Sequence, residues 1–224
     1  MVRPDVSESM TGGPMAQGGA QIATTTSPFK RDALRMRKVD YIRQVASDLF
    51  NRKGFDATSL DEVAEIIGIS KPSIYYYYKN KSELLLDCYT RTLDICESLI
   101  EEAEAQGGTS LDKLCYFTRE LIYLNCAHGS IAIVSELNSV PDAAIEGLRK
   151  RNTALTENLL SLTKNGVADG SMRSDIGKPT IYFIMGGVNW IPRWHREDGT
   201  MSAEDIANSY TEFLLRGVAA PDGN

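Results

Sequence analysis

The chain has 224 residues, 42% of them hydrophobic and 24% charged, a globular balance that excludes wholesale disorder and leaves room for two joined helical units. No stretch approaches the roughly 20 apolar residues of a membrane span, and the N-terminus lacks the basic-then-apolar order of a secretion signal, so the expected compartment is the cytoplasm with no membrane partner. The net charge of -6 is unevenly spread: residues 1–91 hold 13 basic against 11 acidic side chains, and residues 92–224 hold 11 against 19.

In chain order, residues 1–29 are rich in Gly, Ser, Thr and Gln with no apolar cluster to offset their ordering entropy, and are expected to form a disordered tail. A basic run follows in Lys30, Arg31, Arg35, Arg37 and Lys38, the local charge that phosphate contact needs. From Arg35 to Lys53, Val39, Ile42, Ala46, Leu49 and Phe50 recur at helical spacing until Gly54. Ser59 stands three residues before Glu62, a capping arrangement for a short helix ending at Gly68. Ser70 and Pro72 open a third helix predicted over Lys71 to Tyr78, with Tyr78 on its core face and Tyr75, Tyr76 and Tyr77 turned outward.

Asn80 caps a long fourth helix carrying Leu85, Tyr89, Leu93, Cys96 and Ile100, expected to bridge the two halves of the molecule. After Gly107 and Gly108, further helices are predicted at Ser110–Ala127, Ile131–Leu137, Asp142–Asn165 and Thr180–Trp190, the last ended early by Pro192. A final helix begins after Ser202, which pairs with Asp205 as a cap. About nine helices and no strand make an all-α chain: a three-helix unit over residues 30–80, then a larger helical unit over residues 81–219. Cys88, Cys96, Cys115 and Cys126 fall inside apolar segments without metal-ligand spacing, as reduced core thiols do.

A short helix, a glycine turn and a second short helix with a polar outer face is the arrangement that places one helix in the major groove. Thr58-Ser59, Val63-Ala64, Gly68-Ile69-Ser70, Ile74-Tyr75 and Lys81, within about residues 35–89, resemble the T-[ST], I-A, G-V-S, [LI]-Y and K of the TetR family of transcriptional regulators. The resemblance implies a helix-turn-helix DNA-binding domain over residues 30–80 and a helical effector-binding and dimerisation domain over residues 81–219. Lys71 and Ser73, at the start of the third helix, are placed to reach base edges or phosphate, and Tyr75, Tyr76 and Tyr77 to donate hydroxyls and pack rings on the duplex. Arg35 belongs to the basic run, while the resemblance implies phosphate contacts from Thr58 or Ser59 and from Lys81. Asp61, Glu62 and Glu65 are expected to face away from DNA. One such helix reads too few base pairs for genomic specificity, so a homodimer on palindromic operator DNA is expected. The resemblance places its interface on the last two helices, where Gly186-Gly187 permits close approach.

The segment from Met185 to His195 with Asp198-Gly199 resembles, more loosely, a subgroup that responds to acyl-CoA thioesters of lipid and steroid breakdown; Pro192 departs from its pattern. That resemblance implies a small-molecule effector. Phe117, Leu121, Leu124, Phe183, Met185, Asn189 and Trp190 are the candidate pocket lining, and Arg193, Arg196 and the Arg149-Lys150-Arg151 cluster the candidate partners for CoA phosphates. With two histidines and no Walker loop, GxSxG or HExxH, neither a cofactor nor an enzyme activity is expected. A helical interaction module without DNA binding is the rival reading, opposed by Lys71, the tyrosines and the basic run.

Overall fold

The computed structural model describes residues 28–127 and 142–221, the side chains from 32 and from 145 onward in these two spans. Residues 1–27 of the expected tail, the predicted Ile131–Leu137 helix and His128 lie outside the described residues, whereas Pro28 and Phe29, expected in the tail, belong to the first helix. Eight helices fill what is described: α1 (Pro28–Lys53), α2 (Leu60–Ile67), α3 (Lys71–Tyr77), α4 (Lys81–Gln106), α5 (Ser110–Cys126), α6 (Asp142–Ala168), α7 (Lys178–Trp194) and α8 (Ala203–Val218). Among the described residues there is no strand, only one bridge between Met172 and Ala219 that ties the end of α8 to the α6–α7 loop.

Two boundaries differ most from the sequence reading, other ends shifting by three residues or fewer. Helix α1 starts seven residues before Arg35, because Pro28 is tolerated in a first helical turn and the following Lys, Arg, Ala and Leu are good helix formers that carry no apolar stripe for periodicity to detect. Helix α7 does not stop at Trp190: it runs through Pro192 to Trp194. A proline there removes one N–H near the helix end, and the complete burial of Val188 and Ile191 outweighs that loss.

Helices α1, α2 and α3 pack on Ile42, Ala46, Phe50, Val63, Ala64 and Ile74, all at most 1% exposed. Helix α5 is the centre of the second unit, packed against α4, α6, α7 and α8, with Leu114, Phe117, Leu121 and Ile122 buried. Helix α4 touches both units, and α7 also reaches back to α1. Burial pushes the thiols of Cys88 and Cys96 up to about 12 and those of Cys115 and Cys126 to about 11, so all four free cysteines stay protonated at neutral pH.

Candidate nucleic-acid interface and effector cavity

The α2–α3 corner is set by local chemistry. The Ser59 hydroxyl accepts from the Glu62 N–H at 3.1 Å and starts α2. Gly68 stops it in the left-handed region at φ 78°, which lets its own N–H reach Glu65 O and the Ile69 N–H reach Ala64 O. Lys71 and Pro72 then open α3. With Ile74 and Tyr78 buried beneath, Tyr75 (50% exposed) and Tyr76 (75%) stand outward, while Tyr77 is half-buried against the core and edge-on to Tyr76. The outward set therefore contains two full tyrosines and part of a third.

Arg35, Lys71 and Ser73 are exposed on the same unit. The Lys71 ammonium is held by Asp61 at 2.8 Å, which raises its pKa and turns this acid toward α3. Glu62 pairs with Lys53 instead. Thr58 is buried, and its hydroxyl donates to Gly54 O at 2.9 Å, closing the α1–α2 turn; Ser59 keeps its hydroxyl near the surface. Lys81 bends inward, donating to Phe55 O at 2.5 Å with its ammonium 4.2 Å from the Phe55 ring centre. The sequence reading missed Tyr41. With Lys38, Ser73, Tyr76 and Tyr77 it lines a groove of about 430 Å³ between α1 and α3. An aromatic off the Val39–Ile42–Ala46 stripe, three residues after a lysine, was the available signal.

One carboxylate fastens this head to α4. Asp87 Oδ2 accepts from Arg43 Nε of α1 at 2.8 Å and from the Tyr78 hydroxyl, at the end of α3, at 2.5 Å. Burial and this bond push the Tyr78 phenol well above its ordinary range, so it remains a donor.

Below the head, α4, α5, α6 and α7 enclose a cavity of about 280 Å³. Its wall is apolar in Leu93, Leu121, Leu155, Leu159, Ile181 and Met185 and polar in Tyr89, Thr92, Asn152, Thr156 and Asn189; among the described residues no charged side chain lines it. Of the predicted lining, Leu121, Met185 and Asn189 meet there. Phe117 is plain core, and Leu124 is a half-buried residue packed on that core. Phe183 and Trp190 are corrections: at 67% and 60% exposed they lie on the outer face of α7, seven residues apart, whereas Ile181, Met185 and Asn189 share the inner one. Arg193 stands over the Trp190 ring, outside the cavity wall.

The expected phosphate cations are engaged elsewhere. Arg151 of α6 forks onto Glu97, at 2.7 and 2.9 Å, and reaches Asp94 at 2.7 Å, both on α4. Lys150 pairs with Glu146 at 3.3 Å, and Arg196 donates to His195 O at 2.9 Å.

The outer faces of α7 and α8 form a broad apolar surface. Tyr182, Phe183 and Phe213 are exposed, the two phenylalanine rings 6.2 Å apart, beside a groove of about 840 Å³ that includes Gly186, Gly187 and Gly217. At Gly187 an added Cβ would come within 3.3 Å of the Tyr210 ring.

Comparison with known proteins agrees with this layout. Residues 42–88 match the bacterial regulatory proteins of the tetR family, and residues 107–218 match the tetracyclin repressor-like C-terminal domain. The HTH-type transcriptional repressor KstR2 of Mycolicibacterium smegmatis is 24% identical over 191 residues, covering 83% of this chain and 92% of the relative. Among solved structures, the ketosteroid transcriptional regulator KstR2 of Mycobacterium tuberculosis superposes with a TM-score of 0.70 at 19% identity, covering 82% of this chain and 96% of that one. The TetR family regulator PfmR of Thermus thermophilus gives 0.65 at 25% identity, covering 78% and 97%.

Proposed function

The chain belongs to the TetR family of transcriptional regulators, and on that footing we propose that it is a dimeric repressor that α3 seats in the major groove of a palindromic operator and that a small molecule bound between α4 and α7 releases. The observation that carries this reading is the exposed Lys71–Ser73–Tyr75–Tyr76 face, mounted on a corner set by the Ser59 cap and the left-handed Gly68. Tyr75, Tyr76 and Ser73 address base edges and sugar, with Tyr77 at the margin, while Lys71, Arg35 and Ser59 address phosphate. Thr58 supports the turn, and Lys81 supports the Phe55 loop.

Dimerisation falls to the α7 and α8 outer faces, since an exposed surface with two phenylalanines and three glycines is of the kind that marks a protein interface. Two copies would set the α3 helices at the roughly 34 to 36 Å repeat of successive major grooves, or a multiple of it. The effector class is a lipid- or steroid-derived compound delivered as an acyl-CoA thioester. The apolar cavity and the likeness to the ketosteroid transcriptional regulator KstR2 of Mycobacterium tuberculosis support the apolar body of such a molecule; its CoA portion would lie outside the wall, which among the described residues holds no charged side chain.

The test is operator selection from genomic fragments, followed by anisotropy titration of selected and random DNA at several salt concentrations. A specific excess of at least about a thousandfold with a steep salt slope is expected. Equal affinity for both DNAs would leave only an interaction module. An operator that stays bound across a series of acyl-CoA chain lengths would remove the thioester from the reading.

A further inference from the structure

Helix α3 carries a single charged side chain, Lys71, and that charge is already answered within the protein. The Lys71 ammonium lies 2.8 Å from Asp61 Oδ2, on the first turn of α2. Glu65, one turn further along α2, adds a second negative charge near it, whereas Glu62 pairs with Lys53. The Asp61–Lys71 pair does little for the fold. Its side chains are 41% and 69% exposed, and the other Asp61 oxygen is covered with no hydrogen-bond partner among the described residues. Ser59, Asp61, Glu65, Ser70 and Lys71 line one hollow of about 490 Å³ between α2 and α3. A phosphate drawn to the Ser59 hydroxyl and the Lys71 ammonium therefore enters beside two carboxylates and takes Lys71 only by displacing Asp61.

We infer, resting on the DNA-binding reading above, that Asp61 sets the strength of DNA binding by competing with phosphate for Lys71. It lowers the charge-driven part of the affinity, and so weakens operator and random duplex by the same factor. Asp61 is a positioning residue that acts through Lys71. The strength of the complex is thereby set apart from its sequence preference, which stays with Tyr75 and Tyr76.

Anisotropy titrations of the full chain with the selected operator and a random duplex, at about 50 and about 200 mM salt, test this. Asp61→Asn should tighten both DNAs at least about threefold at the lower salt and by less at the higher, with their ratio unchanged. A gain in affinity is an effect that misfolding cannot mimic. Asp61→Glu, which keeps the charge, should bind like the native chain. In a Lys71→Ala background, Asp61→Asn should tighten either DNA by less than about twofold, because the competitor has nothing left to hold. No gain from Asp61→Asn, an equal gain without Lys71, a gain confined to the operator, or Asp61→Glu binding as tightly as Asp61→Asn would each overturn the inference. Failure of the native chain to bind either DNA would instead bring down the DNA-binding reading, and the inference with it.

Discussion

The head and the effector unit are both all-helical, yet they reach their form by different means. In the head, position follows from backbone chemistry: a serine cap, a left-handed glycine and an early proline each dictate one turn of chain. In the effector unit, position follows from which side of a long helix meets α5, and a helix that is apolar on two sides does not announce that in its sequence. Helix α7 shows it: its inner side lines the cavity through Met185 and Asn189, and its outer side carries Phe183 and Trp190 to the surface.

If the two units are as separable as this contrast implies, the most direct challenge to it is Ile74→Ala. A fully buried anchor lost from α3 should destabilise the head by about 2–5 kcal/mol and abolish operator binding. Calorimetric binding of a cavity ligand should persist; its loss would show that the units fold as one. Asp87→Ala tests the joint between them. Removing the shared acceptor leaves Tyr78 and Arg43 without it and should cost about 2–3 kcal/mol in chemical denaturation, with the head's protection against amide exchange falling before that of α5.

Smaller effects separate roles inside the head. Tyr76→Ala should weaken operator binding about tenfold and random DNA far less in paired anisotropy titrations, as expected of a residue that touches bases. Lys71→Ala should weaken both DNAs alike and lower the salt slope by about 1. If Tyr76 and Lys71 exchanged these signatures, the faces of α3 would be assigned the wrong way round.

The mildest prediction concerns acid and belongs to the effector unit. Hydroxyl and backbone donors from Thr109, Ser171 with Ser110, and Ser202 hold Asp112, Asp169 and Asp205 below the ordinary carboxylate range. A folded pKa below the unfolded one contributes stability that is complete above the unfolded value, near 4, and lost as pH falls through the folded one. Melting temperature should decline below about pH 4, and Asp169→Asn should flatten that decline. An unchanged profile would remove this carboxylate from the account.

The sequence made the α2–α3 corner legible almost to the residue, because Ser59 and Gly68 act through local geometry, as Asn80 does at the start of α4. Thr58 and Lys81 were harder. Their identity is right for phosphate contact, but a hydroxyl reaching back to Gly54 and an ammonium reaching Phe55 are tertiary choices that spacing cannot reveal. The effector unit was legible as helices and caps, including the reciprocal Ser202–Asp205 cap. Its cavity was not. Tyr89 of α4 stands more than sixty residues before Asn152 and Leu155 of α6, and packing of these two helices on each other and on α5 brings them together.

Both bonds of the Asp87 clasp end on the same oxygen atom, one from the start of the head and one from its end. A tilt of α4 therefore loads both bonds together, and helices at the two ends of the head feel the displacement of one atom. The carboxylate works as a shared pivot: whatever moves α4 is passed to the Arg43 and Tyr78 sides of the head from a single point.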